Sequence, residues 1–260
     1  LCPMKFYKYQ GTGNDFVIID DREGNFQLGQ KEIAHLCHRR FGIGADGLML
    51  LQNAEGYDFR MVYYNSDGTE GSMCGNGGRC LVRFASDLGI VQNFTTFIAI
   101  DGEHQAHIDP DKISLHMQNV SEIEAVSSDY FAQTGSPHLV RFSSAVQTED
   151  VKNIGAQIRY SDTFKSRGGT NVNFVELVNQ GLFVRTYERG VEDETYSCGT
   201  GVTAAALVAN TIHGLTSPVA IQTIGGKLSI EFKGNAQTGF YDVYLIGPAV
   251  RVFEGEITSL

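Results

Sequence analysis

The sequence predicts an α+β chain of two similar domains made by internal duplication. Each is a mixed or antiparallel sheet wrapped around a central helix, with the functional site in the cleft between them. Three observations predict this. First, FRMVYYNSDGTEGSMCGNGGRCLVRFASDLG around Cys74 is answered by FVRTYERGVEDETYSCGTGVTAAALVANTIHG around Cys198, and Phe59 precedes Cys74 by the same interval as Phe183 precedes Cys198. Second, the match extends downstream, where Phe97–Asp109 parallels Val219–Phe232 as strand, glycine turn and strand. Third, it extends upstream, where Gly13-Asn14-Asp15-Phe16-Val17 parallels Gly135-Ser136-Pro137-His138-Leu139. A length of 260 residues suits two domains. The expected division is 1–120, joined by a returning segment 250–260, and 121–249.

Along the chain, residues 4–10 and 14–20 read as strands around a Gly-Thr-Gly turn. Residues 30–41 read as a helix with Ile33, Leu36 and Cys37 on one side. Strands follow at 47–52 and 58–64, a helix at 76–88, and strand pairs across 94–119. The second half repeats this order, with a helix at 200–213. Its Ala204-Ala205-Ala206-Leu207-Val208-Ala209 is apolar nearly all round, as in a buried helix.

Bulk properties exclude several classes. Lysine and arginine number 20 against 30 aspartate and glutamate, and a net charge of -10 argues against nucleic acid or an anionic membrane as partner. No apolar run is long enough to span a bilayer, and no signal segment is legible. Met4-Lys5-Phe6 reads as a natural beginning and Leu1-Cys2-Pro3 as an added remnant. The five cysteines (Cys2, Cys37, Cys74, Cys80, Cys198) fit neither a disulfide scaffold nor a zinc knuckle. Free thiols in a reducing compartment, the cytoplasm, are expected.

Cys74 and Cys198 each sit just ahead of a predicted helix and are followed by Gly-x-Gly. The first N–H groups of a helix lack internal partners and carry partial positive charge, so a thiol there ionises more easily. The same N–H groups form a carboxylate site. One loop therefore supplies an anion cradle and a tuned acid–base group, and the duplication supplies a second. That pairing suits inversion of an amino-acid α-carbon, where one group removes a proton from one face and another delivers one to the opposite face. Helix N-termini aimed at the carboxylate stabilise the developing enolate charge. Cys80 and Cys37 read as packing residues, and His35-Leu36-Cys37-His38 as an amphipathic helix rather than a metal site.

These residues resemble the diaminopimelate epimerase family, within the group of cofactor-independent amino-acid racemases, over essentially the whole chain. The resemblance rests on Gly11-Thr12-Gly13-Asn14-Asp15-Phe16, Gly42-Ile43-Gly44-Ala45-Asp46-Gly47, Asn65-Ser66-Asp67-Gly68 and Cys74-Gly75-Asn76-Gly77-Gly78-Arg79-Cys80. Tyr187-Glu188-Arg189-Gly190, Glu194-Thr195 and Cys198-Gly199-Thr200-Gly201 complete it. It implies interconversion of LL- and meso-2,6-diaminopimelate, a step of lysine and peptidoglycan-precursor biosynthesis, without cofactor or metal. It implies Cys74 and Cys198 as proton donor and acceptor, with His138 and Glu188 flanking the reacting centre. Backbone N–H groups of Gly75, Asn76, Gly199 and Thr200 would hold the reacting carboxylate. Asn14, Asn65, Asn171, Glu188 and Arg189 would contact the amino acid, mainly at its distal end, with Ser136 also in the substrate site. A small-molecule amino acid is the implied partner, and a homodimer the implied assembly.

The chain departs from the family pattern twice. Ser136 stands where many members have asparagine, and Gly47 where some have glutamine. Both changes bear on substrate recognition rather than on the proton relay. Three other readings remain at this level: a racemase for proline, hydroxyproline or histidine; an isomerase of the same fold using a carboxylate; and a thiol redox or ligand-binding protein. Neither Cys74 nor Cys198 lies in a C-x-x-C motif, which counts against the last.

Overall fold

In the computed structural model, which describes residues 3–179 and 181–258, the chain divides into two compact units. The first comprises Leu1–Leu115 with Gly247–Leu260, and the second His116–Ile246. Cys2, the first of the five cysteines, lies outside the described residues.

The first unit opens with a hairpin of β1 (Met4–Gly11) and β2 (Asn14–Asp20). Its two-residue turn holds Thr12 at φ 48° and Gly13 at φ 84°, the left-handed pair that such a hairpin needs. Helix α1 (Gln30–Cys37) then crosses to β3 (Gly47–Gln52), which lies parallel to β2. Strand β4 (Arg60–Asn65) returns antiparallel, and β5 (Glu70–Gly71) pairs with it. Helix α2 (Gly75–Asp87) leads to β6 (Phe94–Ala99), which bridges β4 in parallel. Strands β7 (Gly102–Ile108) and β8 (Ile113–His116) follow antiparallel.

The apolar runs of β2 and β3 have a physical cause: this part of the sheet is covered on both faces. Val17, Ile19, Leu48 and Leu50 join Ile33, Leu36 and Cys37 of α1 in one core cluster. On the other face, Phe16 and Met49 approach α2 at Gly77. Helix α1 stops at Cys37, short of the expected residue 41. His38 turns to extended ψ 123°, and its Nδ1 accepts the N–H groups of Arg40 and Phe41. Those bonds replace helical ones and turn Arg39 toward Asp15 and Asp46.

The second unit repeats the plan. Strands β9 (Ile123–Val126), β10 (Asp129–Gln133) and β11 (Pro137–Phe142) pair antiparallel in order. Helices α3 (Val151–Arg159) and α4 (Asp162–Lys165) cross to β12 (Asn171–Val178), parallel to β11. Strands β13 (Gly181–Glu188) and β14 (Asp193–Thr195) return antiparallel. Helix α5 (Gly199–His213) leads to β15 (Val219–Thr223), parallel to β13, then to β16 (Gly226–Asn235) and β17 (Gly239–Gly247). Residues 202–209 of α5 are all buried, and Gly214 closes the helix at φ 69°.

The last strand, β18 (Val250–Ile257), pairs antiparallel with β1, as β9 does with β10. This pairing returns the C-terminal segment to the first unit. The seam falls after Leu115 rather than residue 120. Met117 N–H donates to Val243 O (2.8 Å), and Val120 exchanges backbone bonds with Phe240 (2.9 and 2.7 Å), which ties 116–120 to the second unit.

Candidate active site

Cys74 and Cys198 each occupy the residue that caps a helix N-terminus, with extended φ, ψ of −98°, 134° and −123°, 114°. The first helical bonds run from Gly78 N–H to Cys74 O and from Val202 N–H to Cys198 O. The N–H groups of 75–77 and of 199–201 therefore have no helical carbonyl to bond. Cys74 is half-buried and Cys198 buried. Cys37 and Cys80 lie in the core, where burial pushes their thiols up to about 11 and about 12, so they are poor nucleophiles.

In the first unit the cysteine loop rests on the β1–β2 turn. Asn14 Nδ2 donates to Asp46 Oδ2 (2.6 Å), which leaves Asn14 Oδ1 facing Cys74 Sγ (3.6 Å) and Asn76 Nδ2 (3.4 Å). Asp46 shares Arg39 with Asp15, and Asp15 also pairs with buried Lys8 (2.6 Å). Burial alone would raise the Asp15 carboxyl, but the hydrogen bonds and charges of Arg39 and Lys8 outweigh it and hold it at about 2. The orientation of Asn14 is thus set by the Asp46–Arg39–Asp15–Lys8 cluster. Fully buried Arg79 links Gly75 O (3.3 Å) to Thr12 Oγ1 (3.2 Å) and so braces the turn against α2. Asn65 is exposed at the end of β4 and bonds Thr69.

In the second unit the corresponding loop rests on the β10–β11 turn. Ser136 Oγ lies 2.9 Å from His138 Nε2 and 3.1 Å from Thr200 Oγ1. His138 Nε2 lies 2.8 Å from Thr200 Oγ1, which lies 3.5 Å from Cys198 Sγ. Burial first, then the Arg189 charge, pushes His138 down to about 3, so the ring is neutral. Asn171 Nδ2 donates to Pro137 O (2.8 Å), and its Oδ1 accepts Arg189 N–H (2.8 Å). The Arg189 guanidinium donates to Gly168 O (3.2 Å). Behind it, Glu192 accepts from Arg159, Tyr160, Tyr187 and Gly190 N–H. Burial alone would raise the Glu192 carboxyl, and these donors hold it at about 2. Glu188 ends β13, half-buried, next to Arg189.

Within the first unit the structure gathers Asn14, Cys74, Gly75 and Asn76, and Asn65 ends β4 opposite Gly47. Within the second it gathers Ser136, His138, Asn171, Arg189, Cys198, Gly199 and Thr200. Sequence reasoning gave Asp46 and Arg79 no role beyond their motifs and did not single out Thr134 or Asn173. Thr134 Oγ1 donates to Thr200 O (2.8 Å), and Asn173 contacts His138 (3.1 Å). Asn171 and Asn173 two apart in an apolar strand were a legible signal, since alternate residues share a face. The Gly47 departure also has a local cause: a Cβ there would lie 2.5 Å from the Tyr63 ring and 2.6 Å from Tyr64 O. Among the described residues, no group of three or more His, Cys, Asp or Glu side chains converges as a metal site.

The duplicated α+β fold has counterparts among solved structures. A phenazine biosynthesis protein of the PhzF family from Bacillus anthracis superposes with a TM-score of 0.80 at 12% identity, over 100% of both chains. A probable proline racemase from Agrobacterium radiobacter gives a TM-score of 0.70 at 12% identity, over 98% of this chain and 93% of that one. At that identity the likeness is one of fold. The family model for diaminopimelate epimerase matches residues 6–120 and 130–252. The chain is 52% identical to a diaminopimelate epimerase of Flavobacterium psychrophilum, over 98% of this chain and 100% of that one. It is 40% identical to that of Chlorobaculum tepidum, over 95% and 99%. The chain belongs to the diaminopimelate epimerase family.

Proposed function

We propose that this chain interconverts LL- and meso-2,6-diaminopimelate by proton transfer between Cys74 and Cys198, without a cofactor, in lysine and peptidoglycan-precursor synthesis. One observation supports this most directly: each repeat places a cysteine at the mouth of a helix whose first N–H groups have no carbonyl of the helix to bond. The helix mouths at Gly75-Asn76 and Gly199-Thr200 bind the reacting carboxylate and stabilise the charge that develops when the α-proton leaves. One thiolate removes that proton and the other thiol returns one on the opposite face, after which the two have exchanged protonation states. Neutral His138 and Glu188 flank the reacting centre. Asn14, Asn65, Ser136, Asn171 and Arg189 recognise the amino acid. The carboxylate is already served by backbone, so Arg189 is available for the distal carboxylate, as a charge-assisted clamp. The assembly is proposed to be a homodimer acting in the cytoplasm. No helix among the described residues is long and apolar enough to cross a membrane.

The test is turnover in deuterated water across diaminopimelate, lysine, proline and histidine. Diaminopimelate should be the best substrate and take up solvent deuterium at the inverted carbon. Cys74→Ala and Cys198→Ala should each abolish epimerisation in folded protein. Arg189→Met should lose about ten- to a hundred-fold in kcat/KM, the value of a charged hydrogen bond. Faster turnover of proline or histidine would refute the substrate, and near-normal turnover by either cysteine variant would refute the mechanism.

A further inference from the structure

The duplication supplies an internal comparison at one pair of positions. In the first unit, Phe16 on β2 and Met49 on β3 face α2 at Gly77: a Cβ on Gly77 would lie 3.2 Å from Met49 Sδ and 3.4 Å from the Phe16 ring. The corresponding positions of the second unit are His138 on β11, Asn173 on β12 and Gly201 on α5. A Cβ on Gly201 would lie 2.3 Å from Asn173 Oδ1 and 3.3 Å from His138 Cε1. Where one repeat uses two apolar side chains for packing, the other buries two polar ones, each with 0% exposure. Burying polar groups costs free energy unless they are fully bonded, so packing alone does not account for the exchange.

Their bonds have a direction. Thr186 Oγ1 donates to Asn173 Oδ1 (2.9 Å), and Asn173 Nδ2 donates to Leu139 O (2.9 Å). This orients the amide with Nδ2 toward His138 Nδ1 (3.1 Å). Nδ1 must then accept, and the proton of the neutral ring sits on Nε2. Nε2–H donates to Thr200 Oγ1 (2.8 Å), with Ser136 Oγ at 2.9 Å as a second acceptor. Thr200 Oγ1, holding that bond, keeps its own hydrogen to give, with Cys198 Sγ at 3.5 Å and Ser136 Oγ at 3.1 Å; where the Ser136 hydroxyl donates to Thr200, that hydrogen goes to Cys198.

We infer that Asn173 is a positioning residue for the proposed epimerisation: it locks His138 as the Nε2–H tautomer, so that Thr200 donates its hydroxyl hydrogen to the Cys198 sulfur. The role rests on the cysteine mechanism proposed above; the tautomer does not. A hydroxyl donating to sulfur favours thiolate, whereas the opposite tautomer would draw the Thr200 hydrogen to Nε2 and remove that support.

The experiment is long-range 15N–1H correlation of the histidine rings in the intact protein, with the His138 signals assigned from a His138→Gln variant. The wild type should show His138 protonated at Nε2 and not at Nδ1, unchanged from about pH 5 to about pH 8, in keeping with a ring that burial holds neutral. In Asn173→Asp a carboxylate replaces the amide and accepts from Nδ1–H, so the tautomer should reverse. kcat should then fall about ten- to a hundred-fold with KM little changed, and the pH midpoint for alkylation of Cys198 should rise. Asn173→Met copies the first unit's packing. It should fold and show the same loss of kcat, which separates positioning from structure. Wild-type protein that epimerises diaminopimelate with its His138 proton on Nδ1 would overturn the inference and leave the function standing. So would an Asn173→Met variant with full kcat. A protein with the Nε2–H ring that turns over neither isomer would instead sink the proposed function, and with it the role of the ring.

Discussion

His138 shows how much one side chain can depend on its surroundings. It is fully buried among Asn173, Ser136 and Thr200, with the Arg189 charge nearby, and is held at about 3 against an ordinary value of 6.5. The unfolded chain therefore takes up a proton on this ring that the folded chain refuses. The stabilisation is fully present above the unfolded value and is lost as pH falls from there toward the folded one. On the order of 3 kcal/mol should go between about pH 7 and about pH 4 from this group. Urea unfolding of the wild type and of His138→Phe, which copies Phe16, should show a steeper acid loss in the wild type. Equal slopes would mean that the ring is not held neutral. Asp15 and Glu192, both held at about 2, add acid sensitivity lower down and act alike in the two proteins. At this scale the sequence singled out Cys74, Cys198, His138 and Arg189 as candidates by residue type and motif. It did not show that Asp46 turns the Asn14 amide, or that Asn173 turns the His138 ring. Both depend on partners that strand pairing brings together from distant parts of the chain.

The two central helices carry glycines at matching positions, Gly77 and Gly201, for unequal reasons. A methyl on Gly201 would overlap Asn173 Oδ1 at 2.3 Å, an atom already bonded to Thr186, so the strand must yield. A methyl on Gly77 would meet Met49 Sδ at 3.2 Å, and an unbranched side chain adjusts. Alanine also gains about 1 kcal/mol of helix propensity over glycine. Gly201→Ala should destabilise by about 1–3 kcal/mol and depress activity, and Gly77→Ala should fall within about 1 kcal/mol of the parent. Urea midpoints of the two variants decide this, and a Gly201→Ala protein as stable as Gly77→Ala would contradict the close approach seen here. The short strands β5 and β14 went unread, but most element types were legible, as in the apolar circumference of α5. The end of α1 was not. Residues 38–41 have no strong breaker, and the helix stops because His38 caps the backbone and Arg39 is drawn to Asp15 and Asp46.

Over the whole chain, β18 completes the first unit from the far end of the sequence. It pairs with β1 from Met4↔Ile257 to Gln10↔Val250, and Ile257 joins the core under α1. Ending the chain after Ala249 should therefore loosen the first unit and spare the second. Hydrogen exchange should show lost protection in β1 and β2 with β11 and β12 unchanged. Even loss across both units would mean that β18 supports more than its own sheet.

Local pattern was enough to determine the repeat, the α+β class, the helix-capping cysteines and the family to which the chain belongs. Periodicity, glycine spacing and residue chemistry are written within short windows, and two copies of the same window reinforce each other. Tertiary structure alone decided that residues 116–120 join the second unit, that one repeat backs its helix with Phe16 and Met49, and that the other uses His138 and Asn173. Those outcomes depend on which residues a parallel crossover places side by side. His138 and Asn171 become partners across 33 residues, and Asn173 meets Thr186 across a hairpin. A buried amide or ring takes its orientation from the bonds available after the sheet has formed, so no short stretch of sequence can state it in advance.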